Sequence, residues 1–369
     1  LTKALTRRGW LAVVAGGLGG SWAASVAGPL IGTVAVGVGG PARAGGLPRD
    51  AQRRPSRSDG VRDDDHARGP ALRVSAGVAR TGKLVVVTVA APPTGLEIAA
   101  LSATLGTRAG TAWPTNESRR TWRALVAVDI EETASSLPLV VEAQRADGST
   151  TSSTSIVRIR PGRYDRRSIS VGKQFTSPSA EEQERAARES EELVAALRLS
   201  SSTRLWRGRF VRPTPGPETA PFGTLRTYNK KRRSRHLGLD LDGAVGAPIV
   251  AANHGRVLLA AERFYSGGTV LLDHGEGLVT MYFHMSRIDV VVGQELARGA
   301  GLGSVGASGQ VTGPHLHLTV RLGGCSVDPA QLLALDLSDD AEDRKPLPSS
   351  PASSPQPSPS SSPSNVSPR

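Results

Sequence analysis

Apolar residues along this chain fall mostly at alternate positions or in short continuous runs, and seldom with the spacing of a helix. From Leu72 to about Arg160, runs rich in Val, Ile, Leu and Thr stand at Lys83–Val89, Trp122–Ile130, Leu137–Ala143 and Ser155–Ile159. Gly, Pro, Asn and Asp break them. That pattern predicts a small antiparallel sandwich over 72–160, immunoglobulin-like in outline. A second series, Pro248–Ala252, Gly255–Leu259, Thr269–Asp273, Val279–His284 and His315–Leu322, turns at Gly and Asn. It predicts an antiparallel β module over 206–335. Between the two lies a connector, 161–205, with the one helical stretch, 178–199. Ala186, Ala187, Leu193, Ala196 and Leu197 give that helix a thin apolar stripe, suited to docking on a neighbour and too short for a coiled coil. Its start is either Ser179, with Glu182 completing a capping box, or Ser177 with Pro178 as first helical residue. The expected fold is mainly β: a compact antiparallel module preceded by a sandwich and a helical connector.

The two ends read differently. Over 1–44, Lys3, Arg7 and Arg8 precede a long Gly/Ala/Val-rich stretch, and Ala42-Arg43-Ala44 offers a small-residue cleavage site. That is the pattern of an export signal, and Thr6-Arg7-Arg8-Gly9-Trp10-Leu11 resembles its twin-arginine form. The apolar run is also long enough to be retained as an anchor. Residues 45–71 form a polar, Pro/Gly-punctuated linker in which His66 is solvated, and 336–369 turns acidic and then almost wholly Ser and Pro. Such a tail lacks the apolar surface to fold.

A net charge of +12 suits an anionic setting such as acidic wall polymers or a membrane face. No zinc finger, phosphate-binding loop or aromatic single-strand motif accompanies the charge, so nucleic acid is not the expected partner. Cys325 is the only cysteine, which excludes an internal disulfide and any thiolate-rich metal site. It is expected to pack as a small apolar residue or near a turn.

The chemistry gathers in two short motifs. His315-Leu316-His317 puts two imidazoles on one face of a strand, as two nitrogen ligands or as one ligand and one base. His236-Leu237-Gly238-Leu239-Asp240 spaces an imidazole and a carboxylate by an even number, with a glycine between them that permits close approach to the backbone. With His284, these residue types match a mononuclear zinc hydrolase, in which nitrogen and carboxylate ligands leave one position for water. Asp242 falls outside the motif, His254 and His274 lie beside glycines in turn-like contexts, and none of the three is assigned chemistry. Lys230–Arg235 is a basic loop, either merely solvated or able to attract carboxylates or acidic polymers.

His236-x-Gly238-x-Asp240, Met281-Tyr282-Phe283-His284-Met285 and Gly313-Pro314-His315-Leu316-His317 together resemble the lysostaphin-type (LytM-type) zinc endopeptidases. Pro221-Phe222-Gly223-Thr224-Leu225-Arg226, Asp273–Leu278, Val292–Gly299 and Val327-Asp328-Pro329 add to the likeness, which covers about Phe210 to Leu333. The resemblance implies a compact antiparallel β fold with a groove and one Zn2+ held by His236, Asp240 and His317. It implies His315 as general base, and His284 as the histidine that positions the water or stabilises the oxyanion. Peptidoglycan stems or cross-links are the implied substrate. Gly267-Gly268-Thr269 and Leu237 depart from the family's usual residues, which bears on substrate fit and not on the ligands. The competing readings are a non-catalytic regulator that activates amidases and a wall-binding protein on the same fold.

Overall fold

The structure is a computed structural model that describes residues 72–90, 97–115, 119–171, 175, 177–229 and 232–338. The export signal and linker expected over 1–71 lie outside the described residues, as does the tail expected over 336–369 except for 336–338, where Leu337 is buried in the large core and not part of an unfolded tail.

The N-terminal module consists of β1 (Arg73–Ala76), β2 (Ala79–Arg80), β3 (Leu84–Ala90), β4 (Ile98–Leu105), β5 (Arg108–Ala109), β6 (Thr111–Pro114), β7 (Thr121–Ala127), β8 (Ser136–Arg145) and β9 (Thr150–Arg160). They form two facing sheets, ordered β1-β3-β7-β6 and β2-β9-β8-β4-β5. Val85, Val87 and Val89 share the inner core with Ala124, Val126, Leu139 and Val141. The other face of the first sheet is buried too: Leu84, Trp113, Leu125 and Ala127 join Trp206, Phe210 and Leu278 in a second core. Cover on both faces is why β3 reads as an almost continuous apolar run. The sandwich is therefore docked on the C-terminal module. Trp113 and Trp206 meet edge-on at 4.8 Å, Lys83 pairs with Asp328, and the Gln331 amide bonds the backbone of Leu84 at 2.8 and 2.9 Å.

Next come β10 (Arg166–Ile169) and α1 (Ala180–Leu197). Ser179 is the cap of α1: its hydroxyl accepts from the Glu182 N–H at 3.2 Å, and the Glu182 carboxylate accepts from the Ser179 N–H at 2.7 Å. Leu193 and Ala196 pack on Leu258, Leu259, Leu271, Met281 and Phe283. Buried Arg263 ties strand to helix through Glu192 at 3.0 Å and the Glu189 carbonyl.

The C-terminal module contains β11 (Glu218–Ala220), β12 (Leu225–Tyr228), β13 (Arg232–Arg235), β14 (Leu239–Asp242), β15 (Pro248–Val250), β16 (Gly255–Arg263), β17 (Gly267–Asp273), β18 (Val279–Ile288), β19 (Glu295–Leu296), β20 (Gly301–Val305), β21 (His315–Leu322) and β22 (Cys325–Val327). A helical turn, α2 (Pro329–Ala334), follows, capped by Asp328. The main sheet runs β11-β14-β21-β18-β17-β16-β19. One face, with Leu239, Leu241, Leu316, Leu318 and Tyr282, lies on the large core. Alternation puts Asp240, His315, His317 and Phe283 on the other face, whose β16–β18 end is covered by α1. Beside this sheet, β12 and β13 form a hairpin joined in parallel by β10 from the connector. Cys325 is buried, just after a Gly-Gly turn.

Candidate metal centre

Register brings the first pair together. In the antiparallel β14–β21 ladder, Asp240 stands opposite His317 and Asp242 opposite His315. His236 lies just ahead of β14, fixed by its N–H to the Thr224 carbonyl at 2.9 Å and by its own carbonyl, which accepts from the Gly223 N–H at 2.7 Å. Gly238 is required here. A Cβ at that position would fall 2.4 Å from Nε2 of His317.

Three atoms converge. Nε2 of His236 is 2.8 Å from Oδ1 of Asp240 and 3.0 Å from Nδ1 of His317, and that Nδ1 is 2.7 Å from the same Oδ1. The far nitrogen of each ring is engaged elsewhere. Nδ1 of His236 faces the Pro221 carbonyl at 2.9 Å and must donate to it, so Nε2 offers a lone pair. Nε2 of His317 meets the Thr319 hydroxyl at 3.0 Å; donating there leaves Nδ1 bare. Lone pairs from two imidazoles and one carboxylate then point at one another, an arrangement that a cation satisfies. Tetrahedral zinc with bonds of about 2.0–2.1 Å sets its ligand atoms roughly 3.3 Å apart, so a small opening of this set accommodates it. His236, Asp240 and His317 are the group of potential metal ligands among the described residues.

Electrostatics follow from burial. Burial pushes the Asp240 carboxyl up, but charge on and hydrogen bonds from His236 and His317, when a proton rather than a cation sits between the rings and Oδ1, outweigh it and hold the group well below the usual carboxylate range. Burial lowers His317 to about 4. His284 is pushed well below 6.5, by burial first and then by His317 and His315.

The two remaining histidines stand beside this cluster. Nε2 of His315 is 3.7 Å from Oδ1 of Asp240, and its Nδ1 donates to the Gly313 carbonyl at 2.8 Å. The His284 ring lies 5.0 Å from that of His315 and 5.9 Å from that of His317, with Nδ1 donating to the Ser308 carbonyl at 2.9 Å. His284 arrives by an irregularity. Tyr282 on β18 faces the core, and strict alternation would send His284 the same way. Its φ of 66° and the register shifts around it turn the ring to the side of the His-Asp-His cluster, with its N–H held by the Ser266 carbonyl at 2.8 Å.

Several contributors were not singled out by the sequence, although Phe283 and Arg226 lie inside the quoted motifs. Phe283 stacks on His317, with centroids 5.5 Å apart and planes 4° apart. Thr319, two residues beyond His317 on the same strand face, was within reach of the two-residue period. Arg226 meets Oδ2 of Asp240 at 2.5 Å, and nothing in sequence spacing pointed to that pairing. Outside the centre, His274 is fully buried and lowered to about 4 by burial. Asp242 is exposed, and Arg235 packs over Tyr164 and pairs with Glu131. Lys230 and Lys231 lie outside the described residues.

The centre thus combines an antiparallel β module with a His-Asp-His cluster flanked by two further histidines. Residues 234–329 match the sequence profile of Peptidase family M23, and the chain carries a domain of that family. Peptidoglycan DD-endopeptidase ShyA of Vibrio cholerae is 37% identical over 98 residues, 27% of this chain and 23% of that protein. Cell division protein DipM of Caulobacter vibrioides is 33% identical over 134 residues, 34% of this chain and 21% of that one. A crystal structure from Pseudomonas aeruginosa, assigned to peptidase M23, superposes with a TM-score of 0.52 at 28% identity. It covers 70% of this chain and 96% of its own, so the likeness in fold reaches well beyond residues 234–329. The chain spans less than a quarter of the length of these two curated relatives.

Proposed function

We propose that this protein is an exported zinc metallo-endopeptidase that hydrolyses peptide stems or cross-links of bacterial peptidoglycan. The observation that carries the reading is the convergence of Nε2 of His236, Oδ1 of Asp240 and Nδ1 of His317 within 3.0 Å, with His315 and His284 beside them. Zinc bound there supplies an acidified water, with a pKa near 7, and polarisation of the scissile carbonyl. The remaining steps belong to the chain. His315 commits its Nδ1–H to the Gly313 carbonyl, which leaves Nε2 as the nitrogen that would take a proton from the attacking water and pass it to the leaving amine. Neutral His284 commits its N–H to Ser308, so its Nε2 too is an acceptor and orients that water. Oxyanion stabilisation by His284 would require the imidazolium, which its burial opposes.

Peptidoglycan as substrate is supported by the likeness to the Vibrio peptidoglycan DD-endopeptidase and by a net charge of +12, suited to an anionic wall. Export is supported by the sequence of residues 1–44. Among the described residues no helix is long and apolar enough to cross a membrane. A non-catalytic regulator has no need of a complete site, and all five positions are filled here.

The test is release of peptide fragments from purified sacculi by the zinc-loaded protein, read by mass spectrometry alongside His317→Ala. Cleavage products from the wild type alone are expected. No release by either protein, or equal release by both, overturns the hydrolase reading.

A further inference from the structure

The two oxygens of Asp240 lead different lives. Oδ1 meets both ligand imidazoles, at 2.7 and 2.8 Å. Oδ2 meets Nη2 of Arg226 at 2.5 Å, and these side chains are only 8% and 15% exposed. A charge-assisted bond of this kind is strong and directional. Its placement is costly in other respects. A guanidinium beside a site built for a divalent cation is repelled by that cation, and the buried Nε of Arg226 has no hydrogen-bond partner among the described residues. A donor kept at such cost has to return something at the carboxylate.

The scaffold around Arg226 is also more than a loop. Arg226 sits on β12, paired on one side with β13 and on the other with β10. The hairpin closes at its base where the His236 N–H reaches the Thr224 carbonyl at 2.9 Å, so one hairpin fixes both Arg226 and a ligand. Arg167 of β10, opposite Arg226 in the ladder, ties the same assembly to β11 through the Thr219 carbonyl at 3.1 Å.

We propose that Arg226 is a positioning residue for the metal centre: its guanidinium holds Oδ2 of Asp240 and presents Oδ1 alone to the cation. This rests on the zinc reading above. Without Arg226, Asp240 is free to turn and offer both oxygens, which raises the coordination number and loosens the set. Lysine keeps one charged donor and restores part of the effect.

The experiment compares wild type, Arg226→Met, Arg226→Lys and His317→Ala in the full chain. Zinc affinity is measured by competition with a chromophoric chelator, and the visible spectrum of the cobalt(II)-loaded proteins is recorded. Arg226→Met should bind zinc 10–100-fold more weakly, as outer partners of metal ligands commonly do when removed. Its cobalt bands should weaken towards a higher-coordinate pattern, and Arg226→Lys should fall between it and the wild type. Affinity and spectrum both unchanged in Arg226→Met, with His317→Ala unable to bind, would overturn the positioning role and leave the metal centre standing. A wild type that takes up neither zinc nor cobalt would overturn the metal reading itself. If Arg226→Met does not fold, the Lys variant decides: weaker zinc binding and altered cobalt bands there support the positioning role, and a wild-type spectrum and affinity overturn it.

Discussion

His315 and His317 lie on one face of β21, as the strand period requires, yet they present opposite nitrogens. His317 turns Nδ1 to the cluster because Nε2 meets Thr319, and His315 turns Nε2 inward because Nδ1 donates to Gly313. The shared face was legible from the spacing of the motif. The choice of nitrogen was not, because it is set by a backbone carbonyl and a threonine hydroxyl that no motif records. The same holds for Arg226, ten positions ahead of His236 and brought to Asp240 only by the hairpin. The distinction between the histidines has a direct consequence. His317→Ala should lose zinc, whereas His315→Ala should keep it and lose about 10²–10⁴ in turnover. Metal content after gel filtration, measured beside hydrolysis of a defined muropeptide, reads both quantities. Equal metal loss in the two variants would show that His315 is a ligand.

At the scale of elements, the sheet face that carries the centre is divided. Asp240 and His317 occupy one end, α1 covers the other, and Phe283 belongs to both, packing with Leu193 and stacking on His317. The mainly β fold and the helical connector were legible, because alternation and a capped amphipathic stripe are local signals. Other features rest on non-local pairing. The short strand β10 is stable only against β12, and the turn at His284 depends on neighbours in β17 and β20. A plain strand over Val279–His284 would have pointed that histidine into the core. The lid role of α1 gives a measurable stability. Leu193 is fully buried, so Leu193→Ala should cost about 2–5 kcal/mol by transfer and cavity terms together. Urea unfolding gives the value. A loss below about 1 kcal/mol would mean that α1 only rests against the sheet.

At the scale of the whole molecule, the sandwich and the C-terminal module share a core, and His274 lies at their junction. Its carbonyl accepts the N–H groups of Leu205 and Trp206, Phe210 stands edge-on to its ring, and Trp206 packs on Trp113 of the sandwich. Nδ1 of His274 donates to the His254 carbonyl at 2.7 Å, and Nε2 lies 2.8 Å from the Thr280 hydroxyl. Burial lowers this imidazole from 6.5 to about 4 in the folded protein. Between those values the unfolded chain binds the proton and the folded one does not, so stability falls as pH falls. The contribution is fully present above 6.5 and is lost progressively until pH passes below the folded value near 4. From pH 7 to pH 4.5 the drop attributable to this one residue is about 2 kcal/mol. Urea unfolding at the two pH values, in wild type and His274→Gln, isolates it: the acid-induced loss should be smaller by about that amount in the variant. An identical pH dependence in both proteins would place the acid sensitivity elsewhere. A smaller one is expected because glutamine does not titrate, and the baseline at pH 7 should be lower because it gives up the ring packing against Phe210 at the point where the two modules join.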